Sequence, residues 1–212
     1  LLIRNEPYFL TLTVNTSEKT IHYYTRIMWP DNTYADDMVT LAEEFTRKSL
    51  DYNQARDLVS YLETSDTEDN SSLGHVTIRA SFNHLTWDGM DVEMVGEPQI
   101  TLQEFDGIMG QVRVRYTVSP VLIDTEDNFT MKWNEQRIYL MNYERNANEI
   151  FEGSAEAFSG KKILLGITND TMVRAAKSTN SQYLAFKTGG DLWCYDQKEN
   201  QMVRVFTFDS SQ

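Results

Sequence analysis

The feature that most constrains the fold is a run of four short β-like segments joined by three hairpin-length connections. The segments are rich in β-branched and aromatic residues, and the connections carry Asn, Ser and Gly, which form turns. Connections this short join antiparallel neighbours, because a parallel crossover needs a dozen or more residues. The run therefore predicts one four-stranded antiparallel meander, with segments at 172–178, 182–187, 191–196 and 202–208.

The residues of this run resemble those of β-propeller blades. The pattern Ala-x-Ser-x-Asn-Ser-x-Tyr-Leu-Ala-Phe begins at Ala176, and Asp-Leu-Trp-x-Tyr-Asp and Arg-Val-Phe follow it. Together they look like a blade of the TolB-like propellers and of the related WD-repeat and prolyl-oligopeptidase propellers. The chain departs from the family where Asn180-Ser181 replaces the usual Asp-Gly of the first turn. The resemblance implies inner-strand, inter-blade and outer-layer packing roles for Ala175, Leu184, Phe186, Trp193 and Tyr195.

A single blade has consequences for the rest of the molecule. Roughly four to eight blades close a propeller, and one blade alone leaves two strand edges exposed. We therefore expect that the chain is a piece of a longer protein, or that its blade docks on the first domain or on a second copy.

The first 62 residues predict a hairpin followed by two helices. Segments 8–14 and 20–27 are β-branched and aromatic and are separated by a short polar turn. Apolar residues then recur at helical spacing over about 34–49, with Asp36 and Asp37 near the start, where the helix dipole favours acids. A second helical period runs from Ala55 to Leu62, with Asp51 or Asn53 placed to cap it.

Beyond an exposed polar loop at 64–74, the period changes to two. Apolar residues alternate over 76–82, and Asp88-Gly89 predicts a tight hairpin turn before the next strand. A second Asp-Gly, at 106 and 107, predicts another hairpin, whose second strand turns Val112, Val114, Tyr116 and Val118 to the core. Further strands are expected at 129–133 and 137–143.

The fold class that follows is α+β: a mainly antiparallel sheet domain with two inserted helices, then one four-stranded, propeller-like meander. We place the sheet domain at 1–150, a linker and connecting strand at 151–170, and the blade-like unit at 171–212. We place the boundary there because the composition changes after residue 144, where small and polar residues become frequent.

Charge and hydropathy exclude two classes of partner. The formal net charge is −13, a sign that repels phosphate backbones, so nucleic acid is excluded. No stretch reaches the roughly 18 to 20 apolar residues that a transmembrane helix needs. The first residues are too short and wrongly flanked for a signal peptide, so we expect any signal segment to lie outside this chain.

The sequence predicts no catalytic residue, metal site or cofactor. It holds no G-x-S-x-G elbow, and the single cysteine, Cys194, lies between two aromatic residues in a strand, which favours a buried structural thiol. The three histidines show no H-E-x-x-H spacing, and strand periodicity puts His75 and His84 on opposite faces. Gly160-Lys161-Lys162 lacks the spacing and the Ser or Thr of a phosphate loop.

One repeated pentapeptide leaves calcium open. Asp-Thr-Glu-Asp-Asn occurs at 66–70 and at 124–128, with oxygen ligands at alternate positions, and Glu135 is the twelfth residue counted from Asp124. Against calcium, Phe129 stands where such a loop requires glycine. We therefore prefer hairpin tips solvated by acidic residues and commit to no metal ligand.

Two tryptophans are the candidate ligand-binding residues. Trp87 and Trp133 stand beside turn residues at strand ends, where indoles can form flat platforms for sugar rings. The alternative is that both rings cap a sheet core, which is the commoner use of large aromatic residues.

The function that these observations favour is a non-enzymatic, extracytoplasmic interaction module of a secreted or cell-surface bacterial protein, binding a protein or a glycan. One alternative is the non-catalytic N-terminal region of a propeller-bearing hydrolase, such as a peptidase. The other is a carbohydrate-binding module that uses Trp87 and Trp133. Fold resemblance alone does not choose among them.

Overall fold

The computed structural model describes residues 2–4, 6–29, 34–63, 71–154, 157–159, 162–166, 174–188 and 190–207. Most of this part of the chain forms antiparallel β-sheets, with a few helices before the largest sheet and between its first two strands in chain order, consistent with the α+β class. Among the described residues, no helix combines the length and the apolar character required to cross a membrane.

An N-terminal hairpin is formed by β1 (Pro7–Asn15) and β2 (Thr20–Met28), which confirms the first predicted pair of strands. All nine residues of β1 pair with β2, from Pro7 opposite Met28 to Asn15 opposite Thr20. The Thr16 hydroxyl closes the turn by donating to the Lys19 carbonyl and accepting from the Lys19 amide. The hairpin is a two-stranded sheet of its own.

Two helical segments follow the hairpin, as predicted. Helix α1 (Tyr34–Ser49) buries Met38, Ala42 and Phe45 on one stripe, and its first turn is acidic and its last turn basic, as the helix dipole favours. The second segment, Gln54–Tyr61, is a 3-10 helix and not an α-helix. The carboxylate of Asp51 accepts from the amides of Asn53 and Gln54 at 2.8 Å each, so Asp51 supplies the cap.

The first sheet has five strands in the order β3-β7-β6-β5-β4, all antiparallel. Its last four strands form a meander, and the Asp106-Gly107 hairpin is confirmed between β4 and β5. Strand β6 begins earlier than predicted and β7 ends later, because the mostly polar residues before 129 and after 143 also pair with neighbouring strands. The bounds are β3 (His75–Thr77), β4 (Glu93–Phe105), β5 (Met109–Ser119), β6 (Ile123–Trp133) and β7 (Ile138–Glu149).

The predicted long strand over 76–82 and its hairpin at Asp88-Gly89 are wrong. The strand ends at Thr77, and Ser81 caps a short helix α2 (Phe82–Leu85) by accepting from the His84 amide. Asp88 and Gly89 do have positive φ, as turn residues should, but the turn leads from α2 to β4. Since β3 and β4 lie at opposite edges of the sheet, they cannot form a hairpin.

The core of this unit lies between α1 and one face of the first sheet. The predicted inward residues of β5, from Val112 to Val118 at alternate positions, are all at most 5% exposed. Met38 of α1 packs directly over β5, because Gly110 lacks the Cβ that would come within 2.5 Å of its sulfur. The helix therefore sits close to the sheet at that point.

The second sheet has four antiparallel strands in the order β10-β11-β12-β13, which confirms the predicted meander. Its first strand is shorter than predicted, and residues 171–173 lie outside the described residues. Ser181, in the first turn, has φ +57°, the left-handed region that a glycine would adopt without strain. The bounds are β10 (Ala175–Lys177), β11 (Tyr183–Thr188), β12 (Asp191–Asp196) and β13 (Gln201–Thr207).

The predicted linker is not a free connection. Residues 158–159 and 162–163 pair as two short strands, β8 (Phe158–Ser159) and β9 (Lys162–Ile163). Phe151 forms a small core with Phe186 and Trp193 of the second sheet, and Ile163 and Leu165 pack against it. Gly153 approaches the ring of Trp193 so closely that a Cβ there would lie 3.0 Å from it. These described residues therefore cover part of one face of the second sheet.

Candidate functional site

The polar centre of the molecule is a buried ion pair between Asp127 on β6 and Arg145 on β7. Arg145 Nε donates to Asp127 Oδ1 at 2.9 Å, and both side chains are at most 1% exposed. The remaining guanidinium nitrogens donate to the Leu85 carbonyl at 2.9 Å and to Ser49 Oγ at 2.6 Å. The pair thereby ties α1, α2 and two strands together.

Hydroxyl groups complete the shell of Asp127. Its two oxygens accept from Thr46 Oγ1 at 2.9 Å and from the phenols of Tyr116 and Tyr143, each at 3.3 Å. Burial raises the pKa of both phenols well above the usual value, so they stay protonated donors. Every polar group of this cluster is thus engaged by protein, which assigns it a structural role.

The pKa of Arg145 shows how the pair is balanced. Burial by itself lowers the pKa of the guanidinium, but the charge of Asp127 opposes it, together with the nearby tyrosine hydroxyls, and leaves the pKa raised. Arg145 therefore stays protonated at neutral pH.

Trp87 belongs to this core and offers no platform. Its indole is 1% exposed, and the guanidinium of Arg145 lies over the ring at 4.8 Å from the centroid. The predicted sugar-stacking role of Trp87 is therefore wrong, because both the depth of the ring and its cation contact exclude a ligand. The core-capping alternative describes this residue.

The calcium alternative for the second copy of the pentapeptide, from Asp124 to Glu135, does not hold. Residues 124–128 lie in the middle of β6, so their side chains point alternately to opposite faces of the sheet, with Thr125 and Asp127 buried. About ten residues of strand, roughly 30 Å, separate Asp124 from Glu135. The preferred hairpin tip is wrong here for the same reason. The first copy, at 66–70, lies outside the described residues.

The histidines and the cysteine lie apart from one another. His22 contacts Thr13 on the N-terminal hairpin, His75 contacts Asn146 on the first sheet, and His84 lies 3.5 Å from Asp88. In the part of the chain that the structure describes, no three His, Cys, Asp or Glu residues are grouped to hold a metal ion. Cys194 is half-buried and not fully buried as predicted, because it lies on the less covered face of the second sheet.

Trp133, the other candidate, lines a groove of about 380 Å³ between α1, the end of the 3-10 helix and the β6–β7 turn. We call this the aromatic groove. Three rings contribute to it, those of Tyr61, Trp133 and Tyr139. Polar groups come from Asp37, Ser60 and Arg137, and apolar ones from Leu41, Ile138 and Leu140. Of the two predicted tryptophans, the structure therefore places Trp133 alone at a concave surface.

The second sheet carries apolar side chains on both faces. On the covered face, Phe186 and Trp193 pack with Phe151. On the other face, strand register puts Ala176, Ala185, Cys194 and Val203 in one row across all four strands. Leu192 and Tyr183 flank this row, each opposite a charged residue, Lys187 and Asp196 respectively, and Val203 and Tyr183 are 60% and 44% exposed. We call this surface the open face.

A third exposed surface is one side of the N-terminal hairpin. Alternate residues of both strands put Leu10, Leu12, Val14 and Tyr23 on the same side, each more than a third exposed. At the base of the hairpin, a groove of about 580 Å³ separates Met28 from the β4–β5 turn, and Arg26 lies 3.8 Å from Glu104. Sequence reasoning predicted these strands but not that their apolar side stays uncovered.

Comparison with known proteins gives no relative for this chain. No family model matches it, and no curated protein and no solved structure does so.

Proposed function

We propose that the chain is a non-enzymatic, extracytoplasmic interaction module whose second sheet packs, as one blade of a β-propeller, against a further antiparallel sheet. The observation that carries this proposal is the open face. A sheet that has an apolar core on one face and a central apolar row on the other is suited to lie between two layers, and Phe151, Ile163 and Leu165 contribute to only one of them.

The side chains of the open face suit a second sheet better than a helix or a small ligand. Its central row holds Ala176, Ala185, Cys194 and Val203, so the surface is flat and lets another sheet approach to about 10 Å. Such face-to-face packing is how blades of a propeller contact one another. The resemblance of the sequence over 175–208 to TolB-like blades supports the same arrangement.

The size of the open face sets the strength of the contact. One strand of three residues and three strands of six or seven, about 4.8 Å apart and about 3.3 Å per residue, present roughly 350 Å². Two such faces bury roughly 700 Å², below the roughly 1,200 Å² of a stable complex between separate molecules. Free blades should therefore associate weakly, whereas blades tethered in one polypeptide should pack firmly.

The single cysteine of the chain makes this proposal testable, because Cys194 lies in the centre of the open face. We expect its rate of labelling by a maleimide to fall several-fold between micromolar and millimolar protein, as a second copy covers the face. In Val203→Arg the labelling rate should be the same at both concentrations, because a charged side chain blocks the approach of an apolar sheet.

The matched control is Val59→Arg, since Val59 is 44% exposed on the 3-10 helix and is not part of the open face. This variant should keep the concentration dependence of the original chain. Comparing each variant with itself at two concentrations removes any direct effect of the new charge on the thiol. A wild-type rate that does not change with concentration would show that the open face has no affinity for a like sheet and would remove the proposal.

The extracytoplasmic location rests on the propeller resemblance alone and has its own test. A maleimide that does not cross membranes should label the variant Val59→Cys in intact cells that make the protein, because this position lies outside the open face and Val59 is 44% exposed. Labelling only after the cells are lysed would contradict it.

A further inference from the structure

We infer that the aromatic groove binds a neutral saccharide, with Tyr139 and Trp133 contacting the sugar ring. The groove lies on the first sheet and is separate from the open face of the second. Its volume of about 380 Å³ is within the range of small-molecule sites. The argument depends on how its rings are held and on which polar groups surround them.

Each of the three rings contacts another group of the protein. Trp133 stacks on Tyr34 at 4.2 Å between centroids, and Tyr61 packs edge-on against Phe45 at 6.1 Å. The guanidinium of Arg137 lies 4.3 Å from the centre of the Tyr139 ring. The rings are therefore fixed before a ligand arrives, which lowers the entropy lost on binding.

The polar groups of the groove match hydroxyl groups better than ions. Asp37 offers an acceptor, Arg137 offers donors, and the hydroxyls of Ser60 and Tyr61 can do either. One carboxylate and one guanidinium leave the groove without net charge, while the chain as a whole carries −13, which disfavours anionic ligands. Sugar hydroxyls both donate and accept, and the carbon face of a pyranose packs on aromatic rings.

The Tyr139 hydroxyl is a further polar group at the rim. Hydrogen bonds with Arg137 and Asn134, and the positive charge of Arg137, lower its pKa below the usual value. The turn residues next to Tyr139 therefore orient this phenol. Removing the Tyr139 ring by substitution is the most direct test of the site.

The experiment follows the indole N–H of Trp133 in ¹H–¹⁵N spectra during titration with five neutral saccharides in turn: glucose, galactose, N-acetylglucosamine, cellotetraose and maltotetraose. We expect at least one of them to shift this signal and the amides of 134–140 in a saturable way. In Tyr139→Ala the same saccharide should bind at least tenfold more weakly, because the ring contact is lost.

Two further variants separate stacking from folding and from chance contact. Tyr139→Phe keeps the ring and should bind within about threefold of the original chain, since only the exposed hydrogen bonds of its hydroxyl with Arg137 and Asn134 are removed. Tyr183→Ala removes an exposed tyrosine of the second sheet and should leave the titration unchanged. An unshifted Trp133 signal with all five saccharides would overturn the inference, and so would equal affinity in Tyr139→Ala. Neither result bears on the thiol-labelling test of the open face, so the two proposals can fail separately.

Discussion

The two large sheets of this molecule differ in how much of their apolar surface is buried. Each is an antiparallel meander with one covered face. Among the described residues, the first sheet and its helices bury a cluster of twenty apolar side chains, whereas the second buries three. The first sheet can account for its own stability, but the second leaves apolar surface that a further layer should cover.

The faces opposite the two cores sharpen the contrast. On the first sheet that face is polar, and Arg113 and Arg115 of β5 meet Glu126 of β6 at 3.4 Å and 2.7 Å. Burial alone would raise the pKa of Glu126, but hydrogen bonds from Asn128 and Arg115 and the two arginine charges outweigh it and lower the pKa. A face of cross-strand ion pairs is stable when it is exposed to water, whereas the apolar open face is more stable when another layer covers it.

The largest expected effect concerns the buried pair of the first sheet. Arg145→Met leaves Asp127 buried without its cation, so we expect a loss of about 3–5 kcal/mol in the free energy of unfolding. Urea denaturation followed by tryptophan fluorescence measures it. In Arg115→Met, which removes a cation from the solvent-facing side of the same sheet, the loss should stay below about 1 kcal/mol.

A double variant tests whether the charge itself is responsible. Asp127→Leu combined with Arg145→Met removes both charges and should recover part of the loss seen in the single variant. If Arg145→Met cost no more than Arg115→Met, the buried network would not be what holds α1 on the first sheet.

The second largest effect concerns the small core of the second sheet. Phe151→Ala removes one of its three buried side chains, and we expect the unfolding free energy of this sheet to fall by about 3 kcal/mol. The labelling rate of Cys194 at low denaturant should rise accordingly, while probes of the first sheet stay unchanged. Phe9→Ala is the matched control, because Phe9 is 77% exposed, and it should change stability by less than about 0.5 kcal/mol.

The two sheets were not equally predictable from sequence. The second was read from short turns and β-branched segments, since hairpin connections fix strand order locally. Helix α1 and the strand after Asp106-Gly107 were likewise set by local periodicity. The segment 76–89 was wrongly predicted as a strand and a hairpin, because its alternation of apolar residues continues into α2. Only the Ser81 cap marks the change from strand to helix.

The candidate sites were harder to predict, for a physical reason. Asp124 to Asn128 has the composition of an acidic turn, and only pairing with β5 and β7 makes it a strand with Asp127 inside. Trp87 and Trp133 look alike in sequence, yet the partner of Trp87 is Arg145, fifty-eight residues away. A partner so distant in sequence leaves no local signal. The two-residue spacing that puts Asp127 on the same strand face as Phe129 and Met131 was the one available indication of a buried acid.

A smaller effect compares matched valines in the two sheets. Val114 is fully buried under α1, and Val203 is 60% exposed on the open face. Val114→Thr places a hydroxyl without a partner in the core and should cost about 1–3 kcal/mol. Val203→Thr should stay within about 0.5 kcal/mol, since its hydroxyl can bind water. Equal costs, measured by urea denaturation, would mean that the open face is already covered in solution.

The smallest expected effect concerns the pKa of one turn aspartate in each sheet, and here the two sheets should behave alike. Asp106 accepts from the amides of Ile108 and Met109, and Asp196 accepts from those of Lys198 and Glu199 in the corresponding turn of the second sheet. Hydrogen bonds from Met109 and Ile108 lower the pKa of Asp106. Slight burial would raise the pKa of Asp196, but its amide bonds and Gln182 outweigh this and lower it.

The sign of the pH dependence follows from these lowered values. Each carboxylate contributes stability that is complete above its unfolded pKa of about 3.9 and is lost as the pH falls through the lower folded pKa. Carboxyl ¹³C shifts followed from neutral to acidic pH should give both aspartates a pKa below 3.8. Asp106→Asn and Asp196→Asn keep an acceptor oxygen and should each remove one of these titrations. A normal pKa at Asp196 alone would mean that the turns differ as the faces do, with the second sheet less ordered than the first.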